Sequence, residues 1–363
     1  MGEKMPLLWC SISGHGFGHA AQTIPVVNAL GRRIFGLRAI LRTTVPQRFF
    51  EGRLDIPWEI SAGEQDIGCV QRGPLSIDVP ATWVEYLRFH SDWEGRLATE
   101  AQAIALRAPA LVLSNISYLA IAAGARVGLP VVALGSLSWD KILEPFADSQ
   151  RPEHCRLIYQ IQAAYALAPL MIRLQPGMDL TGFKEIRDVH PVARHSAFKN
   201  TALRGLLRAS REETVVLVAF GGVPLAGLPF AELEKMAGYR FVVDDEVPHG
   251  SERSRSVSSL PLSFGELLAS ADIIVTKPGY STIVEAVACR KAVVYVRRYN
   301  FADEEILVNY LHRHGRGIEL SLQHFKAGQW QEALDRVKRL PEPGSVPPVT
   351  GAEEAASIIE SYF

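Results

Sequence analysis

Ser13-Gly14-His15-Gly16-Phe17-Gly18-His19 joins an apolar run, Leu7 to Ser13, to a helical pattern, Ala20 to Ile34. A β-rich run that ends in alternating glycines and passes straight into a helix is the opening of a βαβ unit. Such a turn brings bare backbone and a helix amino terminus to the carboxyl end of a strand, where open parallel sheets take their ligands. The same glycines would equally serve a plain tight strand-to-helix turn. The spacing is not G-x-G-x-x-G, and no G-K-[ST] ending makes it a Walker loop. His19 falls at the helix start, where the dipole disfavours imidazolium and keeps the ring ready to accept a proton. It is the first candidate for a catalytic base, whereas His15 reads as a satisfied turn residue.

Strand and helix patterns go on alternating outward from this loop. Ala39 to Thr44, Ala110 to Leu113 and Val131 to Leu134 are short apolar runs, with a helical stretch at Tyr118 to Arg126. After a polar, basic segment from His190 to Arg211 the pattern restarts. Val215 to Phe220, Phe241 to Val243, Asp272 to Thr276 and Ala292 to Val296 read as strands; Phe264 to Ser270, Thr282 to Ala288 and Glu304 to His314 read as helices. A chain of 363 residues exceeds the size at which single cores stop growing. The fold expected is α/β, two Rossmann-like domains with parallel sheets facing across a cleft. The divisions are 1–195, 196–345 and a closing helical segment, 346–363.

Composition narrows the function classes. A formal net charge of -1 and the lack of a Lys/Arg block argue against nucleic acid or a membrane surface as partner. Four scattered cysteines without a C-x-x-C pair indicate neither zinc nor a disulfide framework and fit a reducing cytoplasm. The longest apolar stretch, Tyr118 to Gly135, is interrupted by Arg126 and Pro130, so no membrane span is expected. Small-molecule chemistry remains.

The second half carries two further glycine turns. Lys277-Pro278-Gly279-Tyr280-Ser281-Thr282 follows one strand and opens a helix, and its free N–H groups and hydroxyls suit a phosphate or diphosphate. Glu285, one turn on, is within reach of a ribose, or else forms a capping box with Thr282. Gly221-Gly222 ends another strand of the same half. A phosphate-type site in one half and a His-bearing loop in the other place the active site in the cleft between them.

These motifs resemble those of GT-B glycosyltransferases, the architecture that includes MurG-type GlcNAc transferases and UDP-glucuronosyltransferases. Gly14 to Ala20, Ser138-Trp139-Asp140 and Lys277-Pro278-Gly279-Tyr280 are similar to the glycosyltransferase-like amino-terminal domain of plant L-arabinokinases and their bacterial stand-alone relatives. The likeness covers nearly the whole sequence except for the sugar-kinase part of arabinokinases, so kinase activity is not expected. It implies an acceptor domain over 1–195, a donor domain over 196–345 and a final helix crossing back to the first. It implies a nucleotide-diphosphate sugar as donor, UDP-linked, and a small acceptor, with no metal and no separate cofactor.

By that resemblance His19 is the base. Gly279, Tyr280, Ser281 and Thr282 wrap the donor phosphates and Glu285 holds the ribose, while Gly16, Gly18, Gly221, Gly222 and Lys277 are the further donor-binding candidates. Asp303, Glu304 and Glu305 open the turn that reads the donor sugar. Asp140 is the second candidate catalytic residue, with a helix cap as its other reading. Trp139 reads as core, and His312 and His314 as a basic helix end. Three positions depart from the pattern: Gln22 where relatives carry Arg, Asn115 where they tend to have Asp, and Glu305 where MurG-like enzymes have Gln.

Overall fold

The computed structural model describes residues 5–194, 196–222, 225 and 227–363. Seven strands form the first sheet: β1 (Leu7–Ile12), β2 (Arg38–Thr43), β3 (Trp58–Ala62), β4 (Leu111–Asn115), β5 (Val131–Gly135), β6 (Leu170–Leu174) and β7 (Ile186–Val189). Six form the second: β8 (Thr214–Val218), β9 (Tyr239–Val243), β10 (Ser254–Ser256), β11 (Ile273–Thr276), β12 (Ala292–Tyr295) and β13 (Arg316–Glu319). Their spatial orders are β3-β2-β1-β4-β5-β6-β7 and β10-β9-β8-β11-β12-β13. Every pairing between strands is parallel.

Parallel strands bury both faces, and the central strands are accordingly near-continuous apolar runs. Trp9 and Val112 belong to one core layer of the first sheet, while Leu8, Cys10, Leu111 and Leu113 belong to the other. The second sheet divides in the same way, with Val216 and Val218 on one face and Val215 and Leu217 on the other. Strand order reverses between β1 and β4 in one sheet and between β8 and β11 in the other. These switch points splay neighbouring connections to opposite faces and leave a crevice at the strands' carboxyl ends. Gly14 to His19 follows β1, Gly221-Gly222 follows β8 and Lys277 to Gly279 follows β11, so topology alone carries all three glycine turns to the two crevices.

The helix Gly351–Ile359 returns to the first sheet. Ala355, Ala356 and Ile359 enter its core layer, and Arg33 Nε donates to Glu360 at 2.8 Å. His195, the expected end of the first domain, lies outside the described residues. Among the described residues no helix is long and apolar enough to cross a membrane.

Helix starts correct two local expectations. The helix at the second-half phosphate turn spans Tyr280–Ala288 with Gly279 as its cap, so Thr282 stands inside the first turn and forms no capping box with Glu285. The capping box of this domain is Ser263 with Glu266. Asp140 is also inside a helix, Trp139–Leu143, whose cap position is Ser138.

Candidate functional site

The glycine loop after β1 needs its glycines where it bends. Gly16 has φ +70°, and a Cβ there would sit 3.9 Å from the Gly221 carbonyl, so the two glycine turns face each other. Gly222, φ +75°, lies against the Phe17 ring. Ser281 Oγ donates to the Gly18 carbonyl at 3.5 Å, a further link across the cleft.

His19, buried in the first turn of the helix Gly18–Arg33, shares a 2.9 Å hydrogen bond through Nδ1 with Asn115 Oδ1. Among the described residues its Nε2 has no hydrogen-bond partner. Burial pushes the ring down to about 4 against the opposing effect of the Asn115 bond. Desolvation thus keeps the ring neutral, in the same direction as the helix dipole at this position. The His15 ring is held by Gln71, whose Nε2 donates to its Nε2 at 3.1 Å. Gly68 makes room for it, since a Cβ there would lie 2.6 Å from the imidazole. Residues 70–78 double back over this loop through a Gln71–Ile77 bridge, and Leu75 packs against the second domain's core.

Trp139 is fully buried and meets both histidines edge-on, at 5.2 Å from His15 and 5.7 Å from His19. Core is its role, and what it supports is the imidazole pair. From the other domain Phe301 stacks on His15 at 6.1 Å, and the Arg298 guanidinium lies 4.0 Å over Phe301. Arg298 is held in turn by Glu304, with Nε donating at 2.6 Å and its backbone N–H at 3.0 Å.

Besides His19 Nε2 and the buried Trp139 Nε1, two charged groups in this cluster lack a side-chain partner among the described residues. Asp303 is buried with Oδ1 unbonded, and burial pushes its carboxyl up to about 7. Lys277, largely buried and repelled by Arg298, is pushed down to about 7 and makes no ion pair. A cation and a carboxylate, both costly to bury unpaired, stand near each other without touching. A ligand with an anionic end and a hydroxyl end would satisfy both.

The structure brings His19, Gly16, Gly18, Gly221, Gly222, Lys277, Gly279, Ser281 and Asp303 to one cleft. Others of the sequence candidates go elsewhere. Asp140 faces the helix Pro152–Tyr165, where Gln162 Nε2 donates to it at 3.3 Å. Tyr280 is buried at the join between domains, its hydroxyl donating to the Gln175 carbonyl at 2.8 Å and accepting from Val192 N at 3.0 Å. Glu285 turns to the same join: burial raises it to about 7 against the Arg194 backbone N–H and the charges of Arg194 and Arg53. Thr282 is half-buried in the first turn of its helix. Glu304 is consumed by Arg298, and Glu305 is exposed, so of the acidic triplet only Asp303 has a free oxygen in the cleft. His312 bonds Tyr295 Oη at 2.8 Å, and among the described residues no group of three or more metal-ligating side chains occurs.

Residues that sequence reasoning did not reach include Arg298, Phe301, Gln71 and Asp66. Asp66 is buried beside Trp139, accepts from Ser13 Oγ at 2.8 Å and Ser117 Oγ at 3.1 Å, and is raised by burial to about 7. These residues belong to loops with no spacing signature. The only pointer to Phe301 was its place two residues before Asp303.

No protein-family model matches the chain. L-arabinokinase of Arabidopsis thaliana is 27% identical over 356 residues, which is 96% of this chain but only 34% of that protein. The chain thus spans about a third of the relative's length. Among solved structures, the calicheamicin glycosyltransferase CalG4 superposes with TM-score 0.64 at 15% identity, covering 99% of this chain and 98% of that one. Medicago truncatula UGT71G1, solved with UDP-glucose, gives TM-score 0.62 at 12% identity over 98% of each chain. The chain has the GT-B glycosyltransferase fold, and across nearly its whole length it is a distant homologue of L-arabinokinase.

Proposed function

We propose that this protein is a glycosyltransferase that moves a sugar from a nucleoside diphosphate, UDP in the first instance, to the hydroxyl of a small acceptor. The observation that carries the reading is the set of unpartnered groups at one cleft: His19 Nε2 on the first domain, Lys277 and Asp303 on the second. In this reading His19 Nε2 takes the acceptor proton as the acceptor oxygen bonds to the anomeric carbon. The bond from that carbon to the diphosphate oxygen breaks, and its electron pair leaves with the diphosphate. Lys277 and the free N–H groups at the start of the Tyr280–Ala288 helix take that charge, and Asp303 accepts from a donor-sugar hydroxyl.

The test is thermal stabilisation by nucleoside diphosphates and their sugar conjugates, because a ligand of the folded state raises the melting temperature by mass action. Stabilisation by one base, kept in His19→Ala while consumption of the sugar nucleotide is lost, supports the assignment. No response to any nucleotide overturns it. The neutral partner of His19, Asn115, favours as second reading a nucleotide-sugar binder without turnover, for which stabilisation would come with no donor consumed.

A further inference from the structure

We infer that Asn115 and Gln22 are positioning residues that lock His19 in the tautomer with the proton on Nδ1, leaving Nε2 as the only proton-accepting atom. The inference rests on the reading of His19 as a base, and its argument is geometric. The Asn115 amide nitrogen has three acceptors around it: the His19 carbonyl at 3.3 Å, Gln22 Oε1 at 3.3 Å and Thr23 Oγ1 at 3.0 Å. A backbone carbonyl only accepts, so that end of the amide is the NH2 end. Thr23 Oγ1 spends its own proton on the same carbonyl at 2.8 Å and meets Asn115 as an acceptor. Gln22 presents Oε1 to the Asn115 NH2 group, and its Nε2 donates to Ser136 Oγ at 3.0 Å. Asn115 Oδ1 therefore faces His19 Nδ1, and an oxygen there requires Nδ1–H.

All members of this network are buried and uncharged. Around the ring stand Asn115 from β4, Gln22 and Thr23 from its own helix, Trp139 from the helix Trp139–Leu143 and neutral His15 from the glycine loop. The charged groups of the cleft, Lys277 and Arg298, act on His15 rather than on His19, and Asp66 is bonded to Ser13 and Ser117. An amide fixes the imidazole as firmly as a carboxylate would, but it does nothing to stabilise imidazolium. Orientation and basicity, which an aspartate would supply together, are separated here.

The test uses the full-length chain labelled with 15N at histidine. Long-range proton–nitrogen correlation should show His19 as the Nδ1–H tautomer, neutral from pH 8 to below pH 5. Asn115→Asp, nearly isosteric, should raise its midpoint by about 1–3 pH units and move the acid limb of any donor consumption by the same amount. Gln22→Met combined with Thr23→Val should leave the midpoint low but raise the population of the second tautomer, because only the His19 carbonyl then holds the amide nitrogen. A wild-type His19 protonated on Nε2, or an Asn115→Asp midpoint equal to that of the wild type, overturns the inference. The tautomer is read without turnover, so the predicted spectrum in a protein that consumes no sugar nucleotide would sink the proposed function and leave this inference standing.

Discussion

Lys277 should make diphosphate affinity strongly pH-dependent. In the free protein, desolvation and the nearby Arg298 hold its ammonium near 7, against an ordinary value of 10.5. A diphosphate beside it would restore the charge, so the complex holds a proton that the free protein lacks between those two values. The sign follows: binding takes up a proton, and affinity falls as pH rises above about 7. The slope is about one decade per pH unit, and the whole gap corresponds to at most about 5 kcal/mol. Asp303, raised to about 7 on the same side of the cleft, is largely ionised over this range and favours the Lys277 ammonium in the free protein, so the full gap is an upper bound. Calorimetric titration of UDP from pH 7.5 to 9.5, in buffers of different ionisation enthalpy, reads both the affinity and the protons taken up. Lys277→Met should bind weakly and lose most of the slope. An affinity that is flat over this range, or an equal slope in the Met variant, would refute the placement of Lys277 at the donor phosphates.

Three further outcomes are expected. Glu304→Ala leaves the Arg298 guanidinium buried without its carboxylate and should cost about 3–5 kcal/mol in urea denaturation, whereas loss of activity at unchanged stability would return Glu304 to sugar reading. Tyr280→Phe strips the Val192 N–H of its acceptor, a loss of about 1–3 kcal/mol that should appear as faster hydrogen exchange at Val192; unchanged protection would contradict the contact. Gly68→Ala puts a methyl 2.6 Å from the His15 ring at φ +69°. It should lower the melting temperature by an amount equivalent to about 1–3 kcal/mol, and an unchanged melting temperature would mean that Gly68 does not pack against the His15 ring as described.

The sequence by itself determined the alternation of strands and helices, the two-domain α/β architecture and the three glycine turns. These are local matters: period-2 and period-3.6 patterns, and glycine where a chain must bend, are written in neighbouring residues. It also singled out Gln22 and Asn115 as departures, though as gaps in a pattern rather than as the network they form. Only the tertiary structure decided which members of each motif face the cleft. Tyr280 and Ser281 are adjacent in sequence, yet a helical turn of about 100° per residue sends one to the join between domains and the other to Gly18. Glu304 and Asp303 part for the same reason, one to Arg298 and one to the cleft. The pairing of His15 with Phe301, nearly three hundred residues apart, depends on how the two sheets are set against each other, and no spacing along the chain encodes that distance.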